Sequence, residues 1–136
     1  MKNNCIFCAI AAGEIPSFKI YEDETVYAYL DINPFSEGHT LVIPKKHFAN
    51  LAEADDDVLA ETVKRVKKIA AHIAETLPCD GFNILQNNGE CAGQSVFHLH
   101  FHIIPRVNGC GKPEFVSHKA DMAELTKLAK RLEMPS

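Results

Sequence analysis

The chain has no excess of positive charge: 14 Lys and Arg stand against 18 Asp and Glu, a formal net charge of −4 with histidine neutral. No basic stripe runs along it, which argues against a nucleic-acid backbone as its partner. A small phosphate ligand is not excluded, because backbone N–H groups hold phosphate without a cationic side chain. The sequence also lacks any apolar run near the ~18 residues that mark a membrane span, and Met1-Lys2-Asn3-Asn4-Cys5 has no apolar signal core. The expectation is a cytoplasmic protein without a membrane partner. Cysteines number 5, an odd count, so in a reducing compartment they are expected as thiols or metal ligands rather than a disulfide framework. Internal repeats, low-complexity segments and linkers are missing as well. With 136 residues, 46% of them apolar and 24% charged, the composition is that of one globular domain with a real core.

What the chain does have is an alternating stretch, Ser95-Val96-Phe97-His98-Leu99-His100-Phe101-His102-Ile103-Ile104. Successive side chains of a β-strand point to opposite faces, so His98, His100 and His102 would share one face with Val96. Phe97, Leu99, Phe101 and Ile103 would face a core. Val, Phe and Ile suit a pleated surface, and Pro105 is expected to end the strand.

The rest of the chain frames this strand. Cys5-Ile6-Phe7-Cys8 leads into a short helical run over 9–12, stopped by Gly13 and Pro16. Taken alone, this CxxC is a redox pair at a helix N-terminus, half of a zinc site, or chance. Two β-like runs, 18–22 and 25–30, flank Glu22-Asp23-Glu24 as a hairpin. Asp31-Ile32-Asn33-Pro34 breaks the second run, and 39–43 is a further strand ended by Pro44. Apolar residues from Val58 to Leu77 recur at helical spacing, which predicts a helix over 55–77. Asp55, Asp56 and Asp57 sit at its N-terminal end, and Pro78 closes it. Lys64, Arg65, Lys67 and Lys68 read as its solvated face. A strand over 81–86, a turn-rich loop from Asn87 to Gly93, and a final helix over 118–132 capped by Ser117 complete the pattern. Strands joined by short turns, with one long helix and one terminal helix, give an α+β fold on a mainly antiparallel sheet.

Two chemistries compete for the histidines. A His-x-His pair on a strand supplies two ligands to a catalytic zinc, which activates water. All three on one ion is excluded by reach, since the outer two lie about 13 Å apart along a strand while zinc–nitrogen bonds are only ~2.0–2.1 Å. Alternatively, one histidine is a nucleophile toward phosphorus, its other nitrogen donating to a fixed acceptor. The middle residue, His100, is best placed for that role. It lies beyond a Gly-x-Ser approach, Gly93-Gln94-Ser95, where small residues let backbone N–H groups near a phosphate.

With these residues in view, the sequence resembles the histidine triad (HIT) family of nucleotidyl hydrolases and transferases. The resemblance rests on His98-Leu99-His100-Phe101-His102-Ile103-Ile104, Gly93-Gln94-Ser95-Val96, Asp31-Ile32-Asn33-Pro34, and the block from Gly38-His39-Thr40 to Pro44-Lys45-Lys46-His47. It runs from about Cys5 to Arg106.

The resemblance implies a single HIT domain over 1–136, with a core of about 5–106 and a C-terminal helical tail of about 107–136. It implies a HIT-like five-stranded sheet and, by family likeness, a homodimer. His100 would attack the α-phosphorus of a nucleoside phosphate derivative: a dinucleoside polyphosphate, phosphoramidate or adenylate. A nucleotidyl-histidine intermediate would form, and water would release a nucleoside monophosphate. His102 would contact the phosphate. Gln94, Ser95 and Asn87, beside Gly93, would hold phosphate oxygens or the leaving group. Asp31 would take the ribose hydroxyls, Ile32 would pack on sugar or base, and His39 would lie near this pocket. Cys5, Cys8, His47 and His98 would hold a structural zinc with no open position. Cys79 is read as packing; Cys91 and Cys110 fit no pattern. The Ile103-Ile104-Pro105-Arg106 ending resembles the polyphosphate-cleaving branch more than the phosphoramidase branch. The alternatives are a zinc-dependent hydrolase with the histidines as catalytic ligands, or a nucleotide-binding module without turnover.

Overall fold

A computed structural model describes residues 4–109 and 111–136; Cys110 lies outside the described residues. Five strands form one antiparallel sheet: β1 (Lys19–Glu22), β2 (Val26–Leu30), β3 (Thr40–Pro44), β4 (Gly81–Leu85) and β5 (Phe101–Arg106), in the order β1-β2-β3-β5-β4. Three helices accompany it: α1 (Ile6–Ala11), α2 (Asp56–Thr76) and α3 (Met122–Leu132). The α+β architecture and the five-stranded sheet are therefore as expected.

Every residue of β2 and β3 is buried, because the sheet is covered on both faces. On one face Val26, Ala28, Leu30, Val42, Phe101 and Ile103 meet Val66, Ile69, Ala70 and Ile73 of α2. The buried positions of α2 fall three and four apart, which is one helical stripe. On the other face Tyr27, Tyr29, Leu41 and Ile43 meet Phe7 and Ile10 of α1. Period-two alternation thus sends Leu41 and Tyr29 to the face of α1, and Val42 and Ala28 to the face of α2.

Several elements depart from the expectations. The alternating histidine stretch is strand only from Phe101 onward, and the strand runs through Pro105 to Arg106. Pro44 explains the late start, because it has no N–H to extend the β3 ladder. Its carbonyl accepts a histidine side chain, and Leu99 N–H donates instead to Phe48 O at 2.7 Å. Leu99, Phe101 and Ile103 are core as expected, but Phe97 is 50% exposed. The last helix begins at Met122 and is capped by Asp121, whose carboxylate accepts from Ala123 N and Glu124 N; Ser117 does not cap it. Far from being a loose tail, α3 drives Leu125, Ala129 and Leu132 into the main core. Arg65 does not belong to a solvated face. It pairs with Asp23, Glu24 and Glu61. Cys79 is half-buried, and its thiol donates to Gly81 O.

Asp23 organises the β1–β2 turn. Its Oδ1 accepts from Thr25 N and Val26 N at 2.8 and 2.9 Å, an Asx turn. Its Oδ2 accepts from Tyr21 OH and Arg65 Nε at 2.7 and 2.8 Å. Burial pushes this carboxyl up, but the hydrogen bonds from Arg65, Tyr21 and the two backbone amides outweigh it and hold the pKa at about 2. A depressed carboxyl stabilises the fold above its unfolded value of ~3.9 and loses that contribution as pH falls through the folded value. The stability of the protein is therefore expected to fall between about pH 4 and pH 2 through this group. Asp23→Asn puts an amide among donors and should cost about 2–4 kcal/mol at pH 7. Urea unfolding at stepped pH checks both effects; equal slopes of stability against pH for the two proteins would contradict this assignment.

Candidate active site and metal-ligand cluster

The face of α1 carries a cavity of about 490 Å³. Its walls are Phe7 and Ile10 of α1, Ile15 and Phe18 of the following segment, and Leu85, Leu41 and Tyr29 from the sheet. Asp31, Ile32, Asn87, Gly93, Ser95, His100 and His102 all line it. Hollows of similar size elsewhere hold no comparable group of imidazoles.

The acceptors around each histidine fix its tautomer. His100 Nδ1 lies 2.7 Å from the backbone carbonyl of His98, so that nitrogen carries the proton. Nε2 is then left with its lone pair, on a ring that lines the cavity. Burial lowers the pKa of His100, so the ring is neutral at pH 7.

His39 is read the same way. Its Nδ1 accepts the backbone N–H of Phe35 at 2.9 Å, so the ring's proton sits on Nε2. Nε2–H donates to His102 Nδ1 at 2.9 Å. The proton of neutral His102 is thereby placed on Nε2, giving the cavity a hydrogen-bond donor beside the lone pair of His100. The two rings lie 5.0 Å apart between centroids. Burial holds His102 down to about 3 and lowers His39 as well. The Oδ2 of Asp31 is 3.7 Å from His39 Nε2, too far for a hydrogen bond, and a neutral His39 makes no ion pair with it. Nor can Asp31, His39 and His102 hold a cation together, since His39 has no free lone pair to offer. Gly38 sets the turn before His39: its φ is +89°, and a Cβ there would lie 2.7 Å from Leu77 Cδ1.

Beside this cavity Cys5, Cys8, His47 and His98 bring four ligand atoms within 4.8 Å of one another. Cys5 Sγ and Cys8 Sγ lie 3.3 and 3.5 Å from His98 Nδ1, Cys8 Sγ lies 3.4 Å from His47 Nδ1, and the two Nδ1 atoms are 3.1 Å apart. Bonds of ~2.05 Å to nitrogen and ~2.3 Å to sulfur give a zinc tetrahedron N···N and N···S edges of roughly 3.3–3.6 Å, which these distances nearly match. His98 Nε2 lies 2.7 Å from Pro44 O and donates to it, leaving Nδ1 as the lone pair that faces the cluster. Burial drops His98 to about 4, so it is a neutral ligand. The donor set therefore fits a closed zinc site.

Two expected nucleotide contacts stand elsewhere. His39 is 1% exposed and sits behind His102, outside the cavity lining. The carboxamide of Gln94 is committed internally: Oε1 accepts from Gly89 N at 2.8 Å, and Nε2 donates to Ala49 O and Val96 O at 2.6 and 3.0 Å. Gln94 ties down the loop from Asn87 to Gly93 rather than turning its side chain to the cavity. Sequence reasoning missed Phe7, Ile10, Tyr29, Leu41, Phe35 and Ser117 as cavity residues. Tyr29 was within reach, being two residues before Asp31 on the same strand face. Ser117 gave no signal, since the irregular segment before α3 returns over the loop through His118 N–H to Pro34 O.

Nitrogen NMR of the histidines checks the tautomers: Nδ1–H is expected on His100, and Nε2–H on His39 and His102. A proton on Nε2 of His100 would contradict this site. Gln94→Ala is expected to cost about 1–3 kcal/mol in thermal unfolding, because it removes the partners of two part-buried carbonyls and an amide.

A protein-family model described as the HIT domain matches residues 12–109. An uncharacterized HIT-like protein of Methanocaldococcus jannaschii is 55% identical over 108 residues, covering 79% of this chain and 83% of that one. An adenosine 5′-monophosphoramidase of Candida albicans is 42% identical over 139 aligned positions, covering 96% and 90%. The crystal structure of a zinc-bound histidine triad family protein from Mycobacterium smegmatis superposes with a TM-score of 0.83 at 42% identity, covering 95% and 93%.

Proposed function

The chain belongs to the histidine triad (HIT) family, and from that premise we propose that it is a nucleotidyl hydrolase or transferase acting at the α-phosphate of nucleoside phosphate derivatives. The observation that carries this reading is the 2.7 Å bond from His100 Nδ1–H to His98 O, which leaves a neutral nucleophilic nitrogen on a ring lining the cavity.

The steps follow from the proton positions. His100 Nε2 forms a bond to the α-phosphorus as the bond from phosphorus to the leaving group breaks, the electron pair departing with that group. The ring becomes an imidazolium whose Nδ1–H stays on His98 O. His102 Nε2–H donates to a phosphate oxygen as charge builds there, and His39 keeps that ring oriented. Ser95, on the cavity wall, donates to a phosphate oxygen or to the departing atom. Water then attacks phosphorus and gives up one proton, which reaches the departed group through solvent; the P–Nε2 bond breaks with its electron pair returning to the ring, and the monophosphate leaves with neutral His100 restored. Asp31 accepts the ribose hydroxyls, Ile32 packs on the sugar, and Asn87 and Gly93 flank the phosphates. Gln94 and His39 serve as positioning residues.

Phosphoramidates join dinucleoside polyphosphates and adenylates as the substrate class, supported by the name of the Candida albicans relative. We assign a structural zinc to Cys5, Cys8, His47 and His98, supported by their spacing and by the zinc-bound relative. When bound, it ties α1 to the segment after β3 and to the start of the histidine stretch. A homodimer is supported by edge strand β4, which shows Phe82 and Ile84 at 44% and 46% exposure. Free Cys79 and Cys91 suit a cytoplasmic setting, and no helix among the described residues is long and apolar enough to cross a membrane. The whole chain acts as one HIT domain in this reading.

The test is His100→Asn assayed with adenosine 5′-phosphoramidate. Turnover should fall by at least ~10³-fold, as for other removed nucleophiles, while AMP still binds. Activity within a few-fold of the parent would overturn the reading. Metal analysis should find one zinc per chain, and chelation should lower the melting temperature before it affects the chemistry of chains still folded. A zinc-free protein of unchanged stability would remove the metal from the account.

A further inference from the structure

We infer that the hydroxyl of Tyr29 is a specificity-determining group that hydrogen-bonds the polar edge of a nucleobase, an inference that rests on the nucleotide reading of the cavity. Tyr29 is 6% exposed, and its hydroxyl has no hydrogen-bond partner, the only buried side-chain polar atom in that state among the described residues. Buried polar groups are nearly always paired, because one that is not loses its water without compensation. The neighbouring phenol shows the ordinary arrangement: Tyr27 OH and Ser17 Oγ bond at 2.7 Å. A phenylalanine at 29 would give the same ring to the same packing, edge-on to Phe7 at 6.1 Å, with no stranded oxygen. A ligand seated in the cavity that Tyr29 lines would supply the partner this hydroxyl lacks.

Register says what that is. His102 stands opposite Leu41 across the β3–β5 pair, and Leu41 stands opposite Tyr29 across the β2–β3 pair. The three form one row across the sheet, and all of them line the cavity. Strands lie ~4.8 Å apart, so the row spans about 10 Å from the phosphate-handling end to Tyr29. Asp31 follows Tyr29 by two residues along the strand direction, one side-chain step on the same face. A nucleotide with its phosphate at His100 and His102 and its ribose at Asp31 then carries its base toward Tyr29. The apolar walls there, Phe7, Ile10 and Ile15, take the faces of a flat heterocycle; Ser17 nearby is already bonded to Tyr27, which leaves the unpartnered hydroxyl of Tyr29 to address its rim.

Tyr29→Phe removes the oxygen alone. Calorimetric titration of the metal-replete protein with AMP, GMP and ribose 5-phosphate tests the inference. The variant should bind at least one of the two nucleotides about 3- to 10-fold more weakly, the range of one neutral hydrogen bond. Ribose 5-phosphate, which has no base, should bind both proteins equally, and the melting temperature without ligand should be unchanged or higher. Unchanged affinity for both nucleotides, an equal loss for ribose 5-phosphate, or a lower melting temperature would overturn the inference while leaving the nucleotide reading in place. If the parent protein binds none of the three, both fall together.

Discussion

A carbonyl oxygen two residues back along the chain decides what His100 can do. In water a neutral imidazole shares its proton between two nitrogens, so neither is reserved for chemistry. Here the bond from Nδ1–H to His98 O settles the proton, and burial keeps a second one away. That carbonyl is only as well placed as His98 itself, which is completely buried. Its ring donates to Pro44 O and turns Nδ1 to Cys5, Cys8 and His47, while the next amide, Leu99 N–H, bonds Phe48 O. One residue thus joins the Cys/His cluster, the end of β3 and His100. The same acceptor logic passes from Phe35 N–H through His39 to His102, which ends with a donor beside a lone pair.

The sheet turns this local chemistry into a binding site because its two faces do different work. The face of α2 and α3 is filled by apolar side chains and supplies the main core. The face of α1 is filled only in part, and the unfilled remainder is the cavity. α1 serves both purposes: Cys5, its N-cap, and Cys8 belong to the cluster, while Phe7 and Ile10 wall the cavity. Phe7 also stands edge-on to His100 at 4.9 Å and His98 at 6.0 Å. Loosening the cluster would therefore disturb the wall of the cavity as well as the carbonyl that accepts from His100.

Much of this was legible in the sequence, and the limits have physical causes. Period-two alternation put Leu99, Phe101 and Ile103 in the core and His102 on the opposite face. It failed at Phe97, because alternation is a property of a strand and the backbone there is not one: Pro44 withholds the ladder and side chains take the carbonyls. Helical spacing gave α2 to within one residue at each end. The start of α3 was misjudged because Ser117 and Asp121 are both plausible caps, and only tertiary contacts choose between them. The grouping of Cys5, Cys8, His47 and His98 came from family likeness; spacing alone left the CxxC ambiguous. Gln94 and Arg65 were misread for one reason. Each has a partner far away in sequence, Ala49 O for Gln94 and Asp23 for Arg65, which no local pattern reports.

The proposed chemistry requires a transient covalent bond between His100 Nε2 and phosphorus. Its most direct measurement is a rapid quench of the protein turning over an adenosine 5′-phosphoramidate labelled at phosphorus, followed by peptide mapping under alkaline conditions. The account predicts the labelled nucleotidyl group on the peptide containing His100, bonded at Nε2, and its absence in His100→Asn. Label on any other residue, or steady turnover with no label on the protein at any quench time, would contradict it.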